Sequence, residues 1–335
     1  MKSDDRAESP LARQREWLQQ YYGRVLKTKH DLEKTVCCTV ETNQRYGDIL
    51  RLVPPEVREK HYGCGCPIPE DDLGGLTVLD LGSGAGLDCF VAAHRVGPTG
   101  RVLGIDMTAE QLEVARRNVP AVATAFGFGV PNVEFHEGLI ETAESIPDES
   151  VDLVISSCVI NLSPAKDQVF RTIHRVLRNG GEFYIADIAS DRRVPPAIAD
   201  DPKLVAECLG GALYEHDWFD LMKDAGFGDT RTVRRVVVAT EVAGEPITFF
   251  SLTVRGVKVA APFDRRCEDY GQQAVYRGTI PGHPARFTLD DHHTFEKGRP
   301  SPVCRNTGRM LSETRLAPHF GVTDPIRHFG IFPCG

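Results

Sequence analysis

VLDLGSGAG, Val78 to Gly86, is the stretch on which the reading of the fold turns. A short apolar run carries one acid, Asp80, and then breaks into Gly82, Ser83, Gly84 and Gly86. Glycines there let the chain turn sharply at a strand end and bring backbone close to a ligand with no Cβ in the way. The dinucleotide pattern would place its third glycine at position 87, which is Leu87, so a pyrophosphate is not the ligand indicated. Asp106 closes the next apolar run, RVLGID, 20 residues beyond Gly86. From that place a carboxylate reaches the hydroxyls of a ribose.

Outward from the loop, VEFHEG, VDLVISSC and GEFYIADI are further short apolar runs, with AEQLEVARRNV and KDQVFRTIHRVL between them at helical spacing. Strand alternating with helix predicts an α/β fold, a Rossmann-like, doubly wound, mainly parallel sheet covered on both faces. TRTVRRVVVAT reads as a further strand, and residues 201–226 as largely helical, interrupted by Gly210-Gly211. Ser9-Pro10 opens an N-terminal helix with Trp17, Leu18, Tyr21, Tyr22 and Val25 at helical spacing. Residues 27–72, broken by Pro54-Pro55 and Gly63-x-Gly65, read as irregular. PITFFSLTVRGVKV, QQAVYRGTI and ARFTLDDHHTF read as strands of a last unit. The expected organisation is 1–70, a helix and cysteine-bearing lid segment; 71–240, the nucleotide-binding domain; and 241–335, a smaller α+β C-terminal domain.

The chain of 335 residues has a net charge of −8 and no basic run, which argues against nucleic acid as a partner. MKSDDRAESPLARQREW lacks the apolar region of a signal peptide, and no run approaches the roughly 18 apolar residues of a membrane span. The expected location is cytoplasmic, with no membrane partner. There the 10 cysteines are expected as reduced thiols rather than a disulfide framework.

The glycine loop, Asp106 and the alternating strands together resemble the S-adenosylmethionine-dependent methyltransferases of the Rossmann-like class. The resemblance implies that Gly82, Ser83, Gly84 and Gly86 cradle the cofactor, that Asp80 lies near its methionine part, and that Asp106 holds its ribose. GLIET, Gly138 to Thr142, falls where that class places adenine contacts, making Ile140 and Glu141 the candidates.

Four cysteines crowd ahead of the first strand, Cys37-Cys38 and Cys64-x-Cys66. Cys158 ends the fourth strand at the edge that faces the ligand crevice, and Cys208 is expected on a helix before Gly210-Gly211. Taken singly, each reads as a small buried hydrophobe, and Cys89 is assigned to the core. Structural zinc shows paired Cys-x₂₋₄-Cys spacing, which CC and CGC do not match. Several thiols beside a methyl donor point instead to a soft acceptor. Trivalent arsenic takes three thiolates and keeps a lone pair. Cys267, Cys304 and Cys334 are open to forming a separate site in the last unit, although their spacing matches no pattern, and Asp290-Asp291-His292-His293 reads as a strand edge or solvated turn rather than a metal site.

CCT, YGCG, DLGSGAGLD, GIDMT, SSCVINL, NGGEFYIADI and ECLGGALY, in this order, resemble the arsenite methyltransferases over residues 20 to 225. YRGTIPGH and CRNTGRMLSETR continue the likeness more weakly. The resemblance makes Cys64, Cys158 and Cys208 the arsenic-binding thiols and Cys37 or Cys38 an assisting N-terminal thiol. It adds Tyr62, Met107, Ser157 and Val159 to the cofactor contacts, and leaves Cys66 without a role. It implies arsenite and methylated arsenicals as substrates, S-adenosylmethionine as methyl donor, and glutathione or thioredoxin as reductant. The rival expectations are a methyltransferase of another small molecule, whose turnover ignores the thiols, and a metalloid-binding sensor that transfers no methyl group.

Overall fold

The computed structural model describes residues 10–31 and 40–334. Helix α1 (Pro10–Gln20), prolonged by a π-helical turn at Tyr21–Val25, α2 (Val40–Leu50) and α3 (Pro55–Glu59) come first. Then β1 (Thr77–Leu81), α4 (Leu87–Val96), β2 (Arg101–Asp106), α5 (Ala109–Ala125), β3 (Val133–Glu137), β4 (Val151–Ser157), α6 (Lys166–Val176) and β5 (Leu177–Ser190) alternate. After them run α7 (Pro196–Ala199), α8 (Pro202–Ala206), β6 (Leu213–Tyr214), α9 (Glu215–Asp224), β7 (Thr230–Ala239) and β8 (Phe249–Val257). The last unit holds β9 (Glu268–Asp269), β10 (Gln272–Tyr276), β11 (Arg286–Thr288), β12 (Thr294–Glu296), β13 (Pro300–Val303), α10 (Arg305–Ser312), β14 (Phe320–Val322) and β15 (Gly330–Ile331).

The central sheet has the order β3-β2-β1-β4-β5-β8-β7, with β6 beside β5. Strands β1 to β5 are mutually parallel, and β8 runs antiparallel to β5 and β7. Helices cover both faces, which is why the central strands are apolar throughout. On one face Phe90, Val91, Leu112 and Val122 of α4 and α5 pack on Leu153 and Ile155. On the other, α6 presents Val169, Phe170, Ile173 and Val176, one stripe of a 3.6-residue period, to Leu79, Val154 and Phe183. The strand order reverses between β1 and β4, and ligands of such sheets bind outside the carboxyl ends at that point. The fold therefore sets the glycine loop after β1 and Cys158 after β4 on the two lips of one crevice.

Three expectations need correction. PITFFSLTVRGVKV was assigned to the C-terminal unit, but β8 lies inside the central sheet between β5 and β7. Every residue of β8 is buried, as an interior strand requires. Within residues 27–72, α2 and α3 form against α4 and α5: Arg95 donates to the Tyr46 hydroxyl at 2.9 Å, and Arg117 and Asn118 reach Glu56. Asp291 and His292 are exposed, as a solvated turn requires, and His293 is half-buried, but Asp290 is not solvated. They sit in the turn of the β11–β12 hairpin, and Asp290 is fully buried against Arg231 at 3.0 Å and His293 at 2.8 Å.

The C-terminal unit has its own core of Tyr276, Phe287, Phe295, Val303, Met310 and Phe320. It is tied to the central sheet by a buried ion cluster. Glu182 of β5 meets Arg255 of β8 and Arg315 of the last unit, and Asp71 meets Arg315 at 2.8 Å and Arg255 at 3.6 Å. Among the described residues no helix is long and apolar enough to cross a membrane.

Candidate active site

The glycine loop is shaped by Asp106. One carboxylate oxygen accepts from the Gly84 N–H at 2.8 Å and the other from the Thr108 N–H at 2.8 Å, so the end of β2 fixes the loop after β1. Gly82, Gly84 and Gly86 all have positive φ. A Cβ on Gly82 would lie 2.4 Å from Val159, whereas one on Gly84 would meet nothing within 4 Å, so the loop opens outward there. Burial raises the Asp106 pKa above the ordinary carboxylate value, opposed by those backbone donors. Asp80 lies beneath the loop and does not line the cleft. It accepts from the Cys89 thiol at 3.2 Å, and burial together with nearby Asp88 holds its pKa well above the usual range.

The cleft encloses about 960 Å³, counting the part open to solvent. Tyr62, Gly82, Ser83, Gly84, Asp106, Met107, Ile140, Glu141, Ser157, Cys158 and Val159 line it. Ser83 Oγ, Ser157 Oγ and Asp88 Oδ1 are buried there without a hydrogen-bond partner among the described residues. Such atoms need a donor or acceptor from outside the chain.

Helix α1 closes the cleft from above. Arg15, Leu18 and Tyr22 line it. Arg15 pairs with Glu141 at 3.1 Å, Gln19 donates to the Met107 carbonyl at 2.9 Å, and Gln111 donates to the Tyr22 carbonyl at 2.8 Å. The Tyr22 hydroxyl donates to the Ala206 carbonyl, which links the lid to the segment bearing Cys208.

Cys64, Cys158 and Cys208 fall in one buried cluster with Leu162, Ile188, Leu209 and Phe249. Cys64 and Cys158 are joined by a disulfide, with 5.7 Å between their Cα atoms. This corrects the expectation of reduced thiols throughout: the fold holds these two within bonding reach, the one such pair among the described residues. Cys64 is seated on the sheet by β8, whose Ser251 hydroxyl donates to the Cys64 carbonyl at 3.0 Å. Cys158 and Cys208 both have positive φ, 54° and 64°, unusual for residues with a Cβ. Cys208 lies beyond the end of α8 rather than on a helix, because the chain turns left-handed there. Its thiol donates to the Cys158 carbonyl at 3.1 Å.

The two motifs CVINL and ECLGGALY interlock. Asn161 donates its amide to the Ile188 carbonyl at 2.6 Å and to the Cys208 carbonyl at 3.2 Å. A Cβ on Gly211 would lie 2.0 Å from the Asn161 carbonyl oxygen, so only glycine fits.

Residues that the sequence reading missed complete the surroundings. A carboxylate oxygen of Asp187 lies within 4.8 Å of the Cys64 and Cys158 sulfurs. Burial pushes its pKa up to about 7, against N–H donors from Ile160, Asn161 and Ile188. Lys166, half-buried near Asp187 and Cys208, has its pKa lowered by desolvation. His61 stands 4.0 Å from Asp88 at the cleft wall. Asp187 lies within GEFYIADI and Lys166 opens KDQVFRTIHRVL, but neither stretch marks its charged residue as part of a site. Cys66 is buried away from the cluster, in the core with Tyr46, Leu50 and Phe90. Cys37 and Cys38 lie outside the described residues.

Comparison with known proteins agrees with this layout. A methyltransferase-domain family matches residues 72–226, and the arsenite methyltransferase C-terminal domain family matches residues 270–329. An arsenite methyltransferase of Aquipseudomonas alcaligenes is 46% identical over 330 residues, covering 96% of this chain and 94% of that protein. The Mus musculus arsenite methyltransferase is 40% identical, covering 90% of this chain and 82% of its own length. The crystal structure of an arsenic(III) S-adenosylmethionine methyltransferase from Chlamydomonas reinhardtii superposes with a TM-score of 0.81 at 44% identity, covering 85% of this chain and 98% of that one. With a sheet whose order reverses at the glycine loop and relatives matched along nearly their whole length, the chain belongs to the arsenite methyltransferase family.

Proposed function

We propose that the chain carries the methyl group of S-adenosylmethionine to trivalent arsenic held by Cys64, Cys158 and Cys208. The observation that carries this reading is the meeting of these three cysteines in one buried cluster beside a nucleoside-sized cleft. The cleft fits the cofactor: unpartnered Ser83, Ser157 and Asp88 atoms await polar groups, and the open face at Gly84 admits a ligand against backbone. Asp106 would hold the ribose, Ile140 and Glu141 the adenine, and Tyr62, Gly82, Ser83, Met107 and Val159 the remainder. Bound there, S-adenosylmethionine supplies an electrophilic methyl on a sulfonium.

Arsenite gives up three hydroxyls as water, each leaving with one thiol proton. Asp187 receives a thiol proton and returns it to a departing hydroxyl, and Lys166 supplies positive charge beside the thiolates. The arsenic lone pair then attacks the methyl carbon. The carbon–sulfur bond breaks with its electron pair on the departing sulfur, and arsenic rises formally from the trivalent to the pentavalent state. No general base is needed for this step, because the nucleophile carries no proton. The cysteines' task is positioning in a site screened from water.

Cys64 and Cys158 then leave arsenic together as a disulfide, returning two electrons to it. Methylarsenic stays on Cys208, water fills the vacated position, and a proton is released. The Cys64–Cys158 bond in the structure corresponds to that oxidised state. Glutathione or thioredoxin of the cytosol resets the pair by thiol exchange. Cys37 or Cys38 assists the first methylation.

The test is direct. Reduced protein is incubated with arsenite, methyl-labelled donor and thiol, and arsenic species are separated by chromatography. Labelled methylarsenicals are expected. Stoichiometric arsenite binding with no methylated product would instead establish a metalloid sensor.

A further inference from the structure

Cys267, Cys304 and Cys334 are separated by 37 and 30 residues, yet their sulfurs all lie within 4.8 Å of one another. Three elements bring them there. Cys267 immediately precedes β9, and β9 pairs with β15 through Asp269–Gly330 and Glu268–Ile331. The Phe332 N–H donates to the Cys267 carbonyl at 2.7 Å, and the Cys334 N–H to the Phe332 carbonyl at 2.8 Å, which folds Cys334 back over Cys267. Cys304 caps the eight-residue helix α10 from below, where its sulfur accepts from the Thr307 N–H at 3.4 Å.

The cluster sits at a helix N-terminus. Arg231 bonds Thr307 Oγ1 at 2.9 Å, and that oxygen lies 3.2 Å from the Cys304 sulfur. Burial pushes the Cys267 and Cys334 thiols up. Among the described residues, neither histidine nor carboxylate joins this group within the same distance. Cys304 is buried, Cys267 half-buried and Cys334 exposed, so the cluster has a floor and an open side.

We infer that Cys267, Cys304 and Cys334 form a second site for trivalent arsenic, apart from the methyl-transfer cleft. Thiolates select soft ions. Structural zinc takes four protein ligands, and this set offers three. Trivalent arsenic takes three and directs its lone pair outward, which matches three converging sulfurs with one side open. Loading exchanges three arsenite hydroxyls for three cysteine sulfurs and releases three waters, with no change of oxidation state. None of the three cysteines lines the cleft assigned to the methyl donor, so the site holds arsenic without converting it. It stands on the geometry of this cluster alone and does not depend on methyl transfer in the cleft.

The test uses full-length protein, reduced and freed of small thiols under argon. Arsenite is added to a Cys158→Ser/Cys208→Ser double variant, which lacks the cleft site. Bound arsenic is counted by native mass spectrometry, and its neighbours are read by X-ray absorption. One arsenic with three sulfur neighbours is expected, and it should be lost on adding Cys334→Ser. Cys334 is exposed, so this substitution leaves the core intact. Three results overturn the inference: no arsenic on the double variant, arsenic that persists unchanged after Cys334→Ser, or tightly held zinc in the purified protein that arsenite does not displace.

Discussion

Two sets of three cysteines share this chain, and their scaffolds differ. Cys64, Cys158 and Cys208 sit at the carboxyl edge of a parallel sheet, all buried, two of them on left-handed backbone, with Asp187 close by. Cys267, Cys304 and Cys334 sit in a small antiparallel unit, one sulfur capping a helix and one exposed. The first set adjoins a cleft with unpartnered polar atoms. The second adjoins none of the cleft-lining residues in sequence. Thiol number therefore does not separate the two. What separates them is strained, buried positioning beside a large cleft, which reaction demands and storage does not.

Substitution of the cleft set should give the largest effect. Cys158→Ser should lower kcat/KM by more than about 1000-fold, or about 4 kcal/mol of transition-state stabilisation, on both arsenite and monomethylarsenite. Cys64→Ser should fail on arsenite yet still convert monomethylarsenite, which has one bond blocked by carbon and engages two thiols. Assays of each variant with each substrate at matched thiol decide this, and equal loss of both activities by Cys64→Ser would put Cys64 in the permanent site.

Next comes the interlock. Gly211→Ala forces a Cβ against the Asn161 carbonyl and displaces Cys208. A shift of about 1 Å costs roughly 100-fold in rate. Steady-state kinetics alongside a melting curve check it, and normal turnover would show that Cys208 needs no such support.

A smaller effect is expected at Asp187. Its carboxyl, with a pKa near 7, is protonated below that pH and cannot accept a thiol proton; above it the carboxylate can. The single-turnover rate on arsenite should rise through about pH 7 and level off, while Asp187→Asn should remove that inflection and lower the plateau. A variant retaining the inflection would remove Asp187 from proton transfer.

The smallest effect belongs to the second set. Cys334→Ser should leave the methylation rate at saturating arsenite within about twofold of the parent, a difference under about 0.5 kcal/mol. An abolished rate in folded protein would merge the two sets into one machine.

How far the sequence discloses this arrangement depends on the range of the forces involved. The glycine loop, Asp106 and the strand-end Cys158 were legible because each is a local pattern at the end of an apolar run. β8 was assigned to the wrong unit because a strand buried on both faces reads alike in either, and only its pairing with β5 and β7 decides. Asp187, Lys166 and Asn161 take their meaning from residues brought near by folding. The left-handed turn at Cys208 is held by Asn161, which bonds the Cys208 carbonyl and abuts Gly211, 50 residues along the chain.

The buried ion cluster bears on how the gene can change. Arg315 enters from the C-terminal unit to face Glu182 and Asp71, which otherwise share Arg255. An incoming unit with no cation at the place of Arg315 would leave two buried acids on one guanidinium, at a cost of about 3–5 kcal/mol. That is a large part of a typical domain's stability. Domain shuffling at this junction is thus penalised unless Glu182 or Asp71 changes in the same step, and the two parts are inherited as a pair.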